Sequence, residues 1–429
     1  MLSRDPSSSG QPAGLRVALL TYRGNPHSGG QGVYTKHLAR GLRELGHSVE
    51  VFSGQPYPEV DGPLTRVPSL DLYRPADPFR TPRPSEFRDW VDLMEYGIMC
   101  TAGFPEPLTY SLRVRRMLQE RRGDFDIIHD NQCLGYGILQ LARDGWPIVA
   151  TIHHPIHVDR QLELTHTRNL KRRISQRRWF GFLRMQGRVA RRLPRIITVS
   201  ENSARDLARH MGLDPARVSV VPVGVDQELF RPLPDVDRVP GRVLAMASAD
   251  VALKGMRPLL EAMAILRARR PGAHLVVVNK PRSDSEIPAT IRRLGLEGAV
   301  RFVHGIHDDE LVRLYAEAEV AVVPSLYEGF SLPAIQAMAC GLPLVATTAG
   351  ALPEVVGRDG EAGLLVPPGN SAALAGAVER VLEDGALARH LAAAGRSRAL
   401  HLYTWRACAE ATAEHYRDVI GATPASRAA

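Results

Sequence analysis

The strongest constraint on this chain is an alternation that recurs along it: a short apolar run, a turn, an amphipathic stretch, then another apolar run. Arg16–Thr21 (RVALLT) is the first run, and a Gly-rich turn at Ser28–Gly32 follows it. The helical pattern from Val33 to Leu45 places Val33, His37, Leu38, Leu42 and Leu45 on one side, and Gly46 ends it before the next run, Ser48–Phe52. That is a β-α-β unit, and parallel strands need crossovers of this length. Further strand candidates are Phe125–His129, Ile148–His153, Ile196–Ser200 and Val218–Val221. A second series opens after the Pro-rich stretch Arg231–Pro240, with runs at Arg242–Ala247, His274–Asn279, Val300–Val303, Val320–Pro324, Leu344–Thr347 and Gly363–Val366. A single core stops growing near about 250–300 residues, so 429 residues in two such series imply two domains. We expect a disordered leader at 1–14, a domain over 15–225, a second over 241–404, and a last helix over 405–420 that packs on one of them. Doubly wound sheets bind ligands at the carboxyl ends of their strands, which makes a cleft between the domains the natural site.

Composition closes off several classes. No apolar stretch reaches the roughly 18 residues of a membrane span. Cys100, Cys133, Cys340 and Cys408 are far apart, which rejects a disulfide scaffold or cysteine-rich zinc site and suits a reducing compartment. Residues 54–124 fit the alternation least well. They carry many prolines and aromatics before a helical run at Ser111–Arg122, and read either as a functional insertion or as a cover over one sheet edge.

The formal charge is +8 at pH 7, from 54 Lys+Arg against 46 Asp+Glu, and the surplus is local. From His166 to Arg195 eleven Lys/Arg residues occur without one acidic residue, leaving 43 basic against 46 acidic groups elsewhere. Leu170, Ile174, Trp179, Phe180, Phe182, Leu183, Met185, Val189 and Leu193 are interleaved with these cations. Cations with aromatic and aliphatic anchors are the composition of an interfacial helix on an anionic membrane surface. A solvated charged face over an ordinary core stripe, and a direct anion or acceptor site, stay open beside it. Nucleic acid is not supported, because zinc-finger, helix-turn-helix and single-strand-binding signatures are missing.

Several turns can carry chemistry. Gly29 and Gly30 lie between the first strand and its helix, where backbone amides can meet an anion, yet neither GxGxxG nor GxxxxGK[ST] is present. Lys254 follows the first strand of the second series, and His153-His154 follow the strand beginning at Ile148. In LYEGFSLPAIQAMACGLPLVAT (326–347), Pro333 suits the first turn of a helix, which puts Ser331 and Leu332 at its amide-rich start. Glu328 precedes that turn and Gln336 projects from the helix. HExxH and GxSxG are absent, so zinc peptidase and α/β-hydrolase chemistry have no support.

SGGQGVYTKHLARGLRELGHSVEVF, VATIHHP, ITVSENSARDL, VVPVGVDQELF, ALKG, the long EGFSLPAIQAMACGLPLVAT block and GLLVPPGN together resemble one family over roughly 15–420. It is the retaining, nucleotide-sugar-dependent glycosyltransferases of GT-B fold, which include bacterial phosphatidylinositol mannosyltransferases and sucrose-phosphate synthase. The resemblance implies an α/β fold with two Rossmann-like domains facing each other across a cleft, the last helix crossing back to the first. It implies an NDP-sugar co-substrate (UDP-, GDP- or ADP-sugar) and no bound metal. By that resemblance His153, Lys254 and Glu328 are catalytic: His153 contacts the transferred sugar, Lys254 clamps the diphosphate and Glu328 binds sugar hydroxyls. Gly29 and Gly30 lie against the diphosphate, the amides of Phe330, Ser331 and Leu332 approach sugar and phosphate, and Asn279 and the turn ending at Gly305 lie near the nucleobase. Two positions depart from the family. Gln336 stands where a second glutamate grips the ribose diol, and Ala249 where an arginine usually helps the lysine; Arg257 is a candidate substitute.

The expected reaction is transfer of a hexose with retention to a hydroxyl acceptor, lipid-linked or membrane-proximal, in the cytoplasm or on the inner face of the membrane. A soluble transferase making a small glycoside or polysaccharide, and a non-catalytic nucleotide-sugar-binding protein, are the alternatives.

Overall fold

A computed structural model describes residues 14–25, 30–74, 77–166 and 169–423. Apart from Gly14, the leader expected at 1–14 lies outside them, as does Gly29. The first series runs β1 (Arg16–Thr21), α1 (Gly30–Glu44), β2 (Ser48–Ser53), β3 (Leu64–Arg66), α2 (Trp90–Cys100), α3 (Glu106–Gln119), β4 (Ile127–Asn131) and α4 (Tyr136–Arg143). It continues with β5 (Ile148–Ile152), α5 (His157–His166), α6 (Leu170–Trp179), α7 (Leu183–Ala190), β6 (Arg195–Thr198), α8 (Glu201–Met211) and β7 (Val218–Val220). The second begins with β8 (Arg242–Ala245), α9 (Met256–Arg269), β9 (His274–Val278), α10 (Ile287–Arg293), β10 (Val300–Val303), α11 (Asp308–Glu317) and β11 (Val320–Val323). After it come α12 (Leu332–Ala339), β12 (Leu344–Thr347), α13 (Leu352–Val356), β13 (Leu364–Val366), α14 (Ser371–Glu383), α15 (Gly385–Leu402) and α16 (Trp405–Ala422).

The strands form two parallel sheets, ordered β3-β2-β1-β4-β5-β6-β7 and β10-β9-β8-β11-β12-β13. In each, the first strand of the series is flanked by the second and the fourth, the doubly wound order whose winding reverses beside the first strand. The chain divides into two compact units: residues to Thr151 with 178–195 and 409 onward, and 152–177 with 196–408. The core of the second sheet is built from Val243, Leu275, Val277, Val320, Val322 and Val345 with the inward faces of α9 and α14. β-branched and aliphatic residues dominate these strands because both faces are covered, so runs read as continuous rather than alternating.

Where the strands depart from the sequence reading, polar partners explain the shift. β4 was expected at Phe125–His129 but runs to Asn131, through fully buried His129, Asp130 and Asn131. His129 Nδ1 lies 2.6 Å from Tyr416 Oη of α16, and its Nε2 lies 2.7 Å from Thr151 Oγ1. Asn131 Nδ2 donates to Thr35 Oγ1 at 3.0 Å, and the Asp130 carboxylate accepts from the Cys133 and Leu134 amides. A strand can continue past its apolar residues when each buried polar group is satisfied. α1 buries Tyr34, Thr35, Leu38, Ala39 and Leu42, while Val33 and His37, expected on the core face, are only half-buried. The 54–124 stretch carries β3, α2 and α3; Asp89 caps α2, and Arg113 of α3 pairs with Asp92 and Glu95.

The basic segment is two helices with different surroundings. α6 has no buried residue, and Leu170 and Ile174 are 71% and 59% exposed. Phe180, Leu183, Met185, Val189 and Leu193 are buried, so they pack inside the protein and are not anchors for an outside surface. Trp179 sits in a ring cluster with Tyr73, Phe79 and Phe104.

Candidate active site

The second sheet brings the expected residues together at its point of reversal. β8 and β11 are neighbours, with Val322 opposite Ala245. The turn after β8 carries Lys254 and the turn after β11 carries Glu328, so both side chains leave the sheet where a doubly wound fold receives its ligand. Lys254 Nζ donates to Glu328 Oε1 at 2.7 Å. The carboxylate is only 8% exposed and Lys254 about a third, which makes this a partly buried ion pair. Ser325 Oγ donates to the same Oε1 at 2.8 Å, and Thr347 Oγ1 ties the Ser325 carbonyl to β12 at 2.6 Å. Ser325 and Thr347 therefore hold the rotamer of Glu328. Ala351 N donates to Glu328 O at 2.9 Å, and a Cβ at Gly350 would stand 2.1 Å from that oxygen. Only glycine admits such an approach, at a φ of +58°.

The following turn starts a helix as the Pro333 pattern predicts. α12 begins at Leu332, and Ser331 caps it by accepting from Ala334 N at 3.4 Å. Ser331 holds φ +108°, a costly backbone conformation for a residue with a side chain. The Phe330 and Ser331 amides have no protein partner among the described residues. Phe330 is buried against Tyr403, ring centroids 5.4 Å apart.

His153 belongs to the same compact unit and borders this turn through its backbone: its carbonyl lies 2.9 Å from where a Gly329 Cβ would be. The imidazole is half-buried, and desolvation, then the neighbouring His154, pushes its pKa down to about 3. The ring is therefore neutral near pH 7, a hydrogen-bonding group rather than a cation. His154 Nε2 lies 2.9 Å from Asp159 Oδ2, and Tyr327 Oη donates to Asp206 Oδ2 at 2.8 Å. Burial first, and Asp206 second, push the Tyr327 phenol up, so it remains a donor.

Asn279 and Gly305 end the adjacent strands β9 and β10, whose last paired residues are Val278 and Val303. They occupy the same carboxyl edge, two and three strands from Glu328. Gln336 projects from α12 with Oε1 3.2 Å from Tyr315 Oη, which leaves its amide nitrogen as the group on offer. Ala249 is 4% exposed and belongs to the core cluster of the second sheet. Arg257, the candidate substitute, makes an exposed ion pair with Glu286 at 3.4 Å. In the first unit, Gly30 opens α1 with nothing near its missing side chain; the glycine that sterics demand is Gly32, where a Cβ would meet Asn25 O at 2.0 Å. Ser325, Tyr327, Asp206 and Gly350 were missed from sequence. Tyr327, Asp206 and Gly350 act through contacts between distant segments, which no spacing marks, and Ser325 reaches Glu328 from three residues away without belonging to a recognised motif.

Among the described residues no group of three or more His, Cys, Asp or Glu is placed to hold a metal ion, and no helix is long and apolar enough to cross a membrane. Two doubly wound parallel sheets, the second with a lysine–glutamate pair and a strained, amide-presenting helix start at its reversal point, have the architecture of GT-B sugar transferases.

Comparison with known proteins reaches the same class. Residues 28–229 match the model described as Glycosyltransferase Family 4, and residues 240–384 match Glycosyl transferases group 1. An MMP alpha-(1->4)-mannosyltransferase of Mycolicibacterium hassiacum is 51% identical over 409 residues, covering 95% of this chain and 98% of its own. The structure of sucrose-phosphate synthase from Thermosynechococcus elongatus superimposes with a TM-score of 0.73 at 25% identity, over 95% of this chain and all of that one. Anabaena HepE in complex with UDP and glucose shares the fold at TM-score 0.69 and 18% identity, over 94% and 99% of the two chains. The chain belongs to the nucleotide-sugar glycosyltransferases of GT-B fold, related to bacterial mannosyl- and inositol-phosphate transferases. It transfers a sugar from an NDP-sugar donor to an acceptor.

Proposed function

We propose that the protein is a retaining mannosyltransferase that joins a mannosyl group, carried on a nucleoside diphosphate, to the 4-hydroxyl of a sugar acceptor. The observation that carries this reading is the Lys254–Glu328 pair at the reversal point of the second sheet, in a chain 51% identical over its length to an α-(1→4)-mannosyltransferase. We assign donor binding to the 241–404 region and acceptor binding to 15–225.

In this reading Glu328 accepts hydrogen bonds from hydroxyls of the transferred sugar, and Lys254 neutralises charge developing on the leaving diphosphate. The neutral His153 ring hydrogen-bonds the sugar, and the Phe330, Ser331 and Leu332 amides approach sugar and phosphate. Asn279 and Gly305 border the nucleobase. Gln336 offers amide donors to the ribose in place of a charged acceptor. As the bond from the anomeric carbon to the phosphate oxygen breaks, the acceptor oxygen bonds to the same face of that carbon, and its proton passes to the leaving phosphate. Holding both substrates in register is the main task of the protein, and no step calls on a metal. Free cysteines in the described chain fit a cytoplasmic setting.

A second reading, with the acceptor presented at an anionic membrane surface, draws support from α6, where Lys171, Arg172, Arg173, Arg177 and Arg178 flank exposed Leu170 and Ile174. One experiment tests both. The protein is incubated with GDP-, UDP- and ADP-sugars and mannose oligosaccharides, with and without anionic vesicles, and the product linkage is read by NMR. An α-(1→4)-mannoside formed without vesicles is expected. Transfer of another sugar, or a β-linked product, would refute the main reading. Turnover that requires vesicles would favour the second.

A further inference from the structure

The ITVSENSARDL motif is strongly family-like, yet the reaction as described uses none of its side chains. Its structure points directly at the Glu328 turn. Ser200, the N-cap of α8, accepts from Ser203 N at 3.0 Å and donates its own proton to Gly329 O at 2.7 Å. Ser203 Oγ lies 3.1 Å from the same carbonyl and 3.2 Å from His153 O, sharing its single proton between them. A carbonyl oxygen has two lone pairs, so Gly329 O is saturated by two hydroxyls. The clasp is closed by Glu354, whose carboxylate accepts from Glu201 N at 2.8 Å and Asn202 N at 2.7 Å. Ala351, three residues before Glu354, holds the Glu328 carbonyl.

The consequence follows from peptide geometry. The Gly329–Phe330 bond is trans, and in a trans peptide the carbonyl and N–H point in opposite directions. Two serines holding the carbonyl on one side therefore present the Phe330 N–H on the other, where it has no protein partner among the described residues. The turn packs closely on the segment that carries His153: a Cβ at position 329 would stand 2.9 Å from His153 O and 3.0 Å from His154 Cβ, so a side chain there is not accommodated. The strained Ser331 that follows shows that this turn is held by its surroundings.

We propose that Ser200 and Ser203 are positioning residues that orient the Gly329–Phe330 peptide, so that the Phe330 N–H is a fixed donor to the sugar-diphosphate. This rests on the reading that the donor lies against the Phe330–Leu332 amides. The test combines Ser200→Ala with Ser203→Ala, uses Ser200→Thr as the conservative variant, and replaces Phe330 by its α-hydroxy acid, turning the N–H into an ester oxygen. Affinity for GDP-mannose and UDP-mannose is measured by calorimetry on the full chain. The double alanine variant is expected to lose about tenfold, the worth of one hydrogen bond to a charged group, and Ser200→Thr to stay within about threefold of wild type. The ester is expected to lose a similar factor alone, with the alanines adding little on top of it. A merely structural role would instead give losses that multiply. Multiplying losses, or unchanged affinity in the alanine variant, would overturn the clasp. Wild-type binding that ignores the ester would instead remove the donor from these amides and leave the underlying reading at fault.

Discussion

The two sheets share a strand order but finish differently at their carboxyl edges. In the second, the turns after β8 and β11 (246–255 and 324–331) run into helix starts, and the Lys254–Glu328 ion pair stands among groups that already hold it. In the first, the β3–α2–α3 insertion fills the space past β1 and β2 with buried acids. Glu106 pairs with Arg23 at 2.9 Å, yet burial outweighs that arginine and pushes the carboxyl pKa up to about 8. Glu95 is also raised by burial, with Arg113 opposing. A small cavity there is lined by Tyr22, Gln55, Ser69, Glu95, Glu106 and Arg113. The same topology thus yields an edge with an ion pair and free amides at its turns and an edge whose carboxyl pKa values burial raises. The insertion decides which, since it covers the strand ends of the first sheet that the turns of the second leave facing outward.

The largest effect should come from the second edge. Lys254→Ala and Glu328→Ala are each expected to lower transfer by at least about a hundredfold, the scale of removing a donor aimed at developing charge, while circular dichroism stays native. A variant retaining most of its turnover would break the contrast. A middling effect is expected from the core half of the basic segment. Val189→Asp should cost about 2–5 kcal/mol in urea denaturation by burying an unpaired charge, whereas Leu170→Asp with Ile174→Asp should change stability by less than about 0.5 kcal/mol. Equal costs would mean that α6 and α7 are not different surroundings. The smallest effect concerns the first edge. Because folding raises the Glu106 pKa, its contribution is fully present below the unfolded value of 4.5 and is lost as pH rises toward about 8. Thermal melts of Glu106→Gln between pH 5 and pH 8.5 should therefore fall less steeply than wild type. Identical slopes would show that this carboxyl titrates as an ordinary glutamate.

Much of the candidate site was legible because its chemistry is local. A lysine after one strand, a glutamate after another and a proline setting a helix start are features of contiguous residues, and the topology then brings the strand ends together. The missing arginine was also visible as Ala249, but not its cause; only packing shows that the position is core. The basic segment was misjudged in part for the same reason. Phe180, Leu183, Met185 and Val189 look like anchors in a string of arginines, and facing inward is a property of the folded surroundings rather than of the string.

By itself the sequence determined the winding of both sheets, the strand-end placement of Lys254, Glu328 and the Pro333 helix start, and the departures at 249 and 336, because hydrophobic period, turn residues and strand-end positions act within a few residues of one another. Tertiary structure alone decided that Ser200 and Ser203 share one carbonyl 126 to 129 residues away and that burial raises the pKa of Glu106. Those outcomes depend on desolvation and on hydrogen-bond geometry, which exist only once distant segments have excluded water between them.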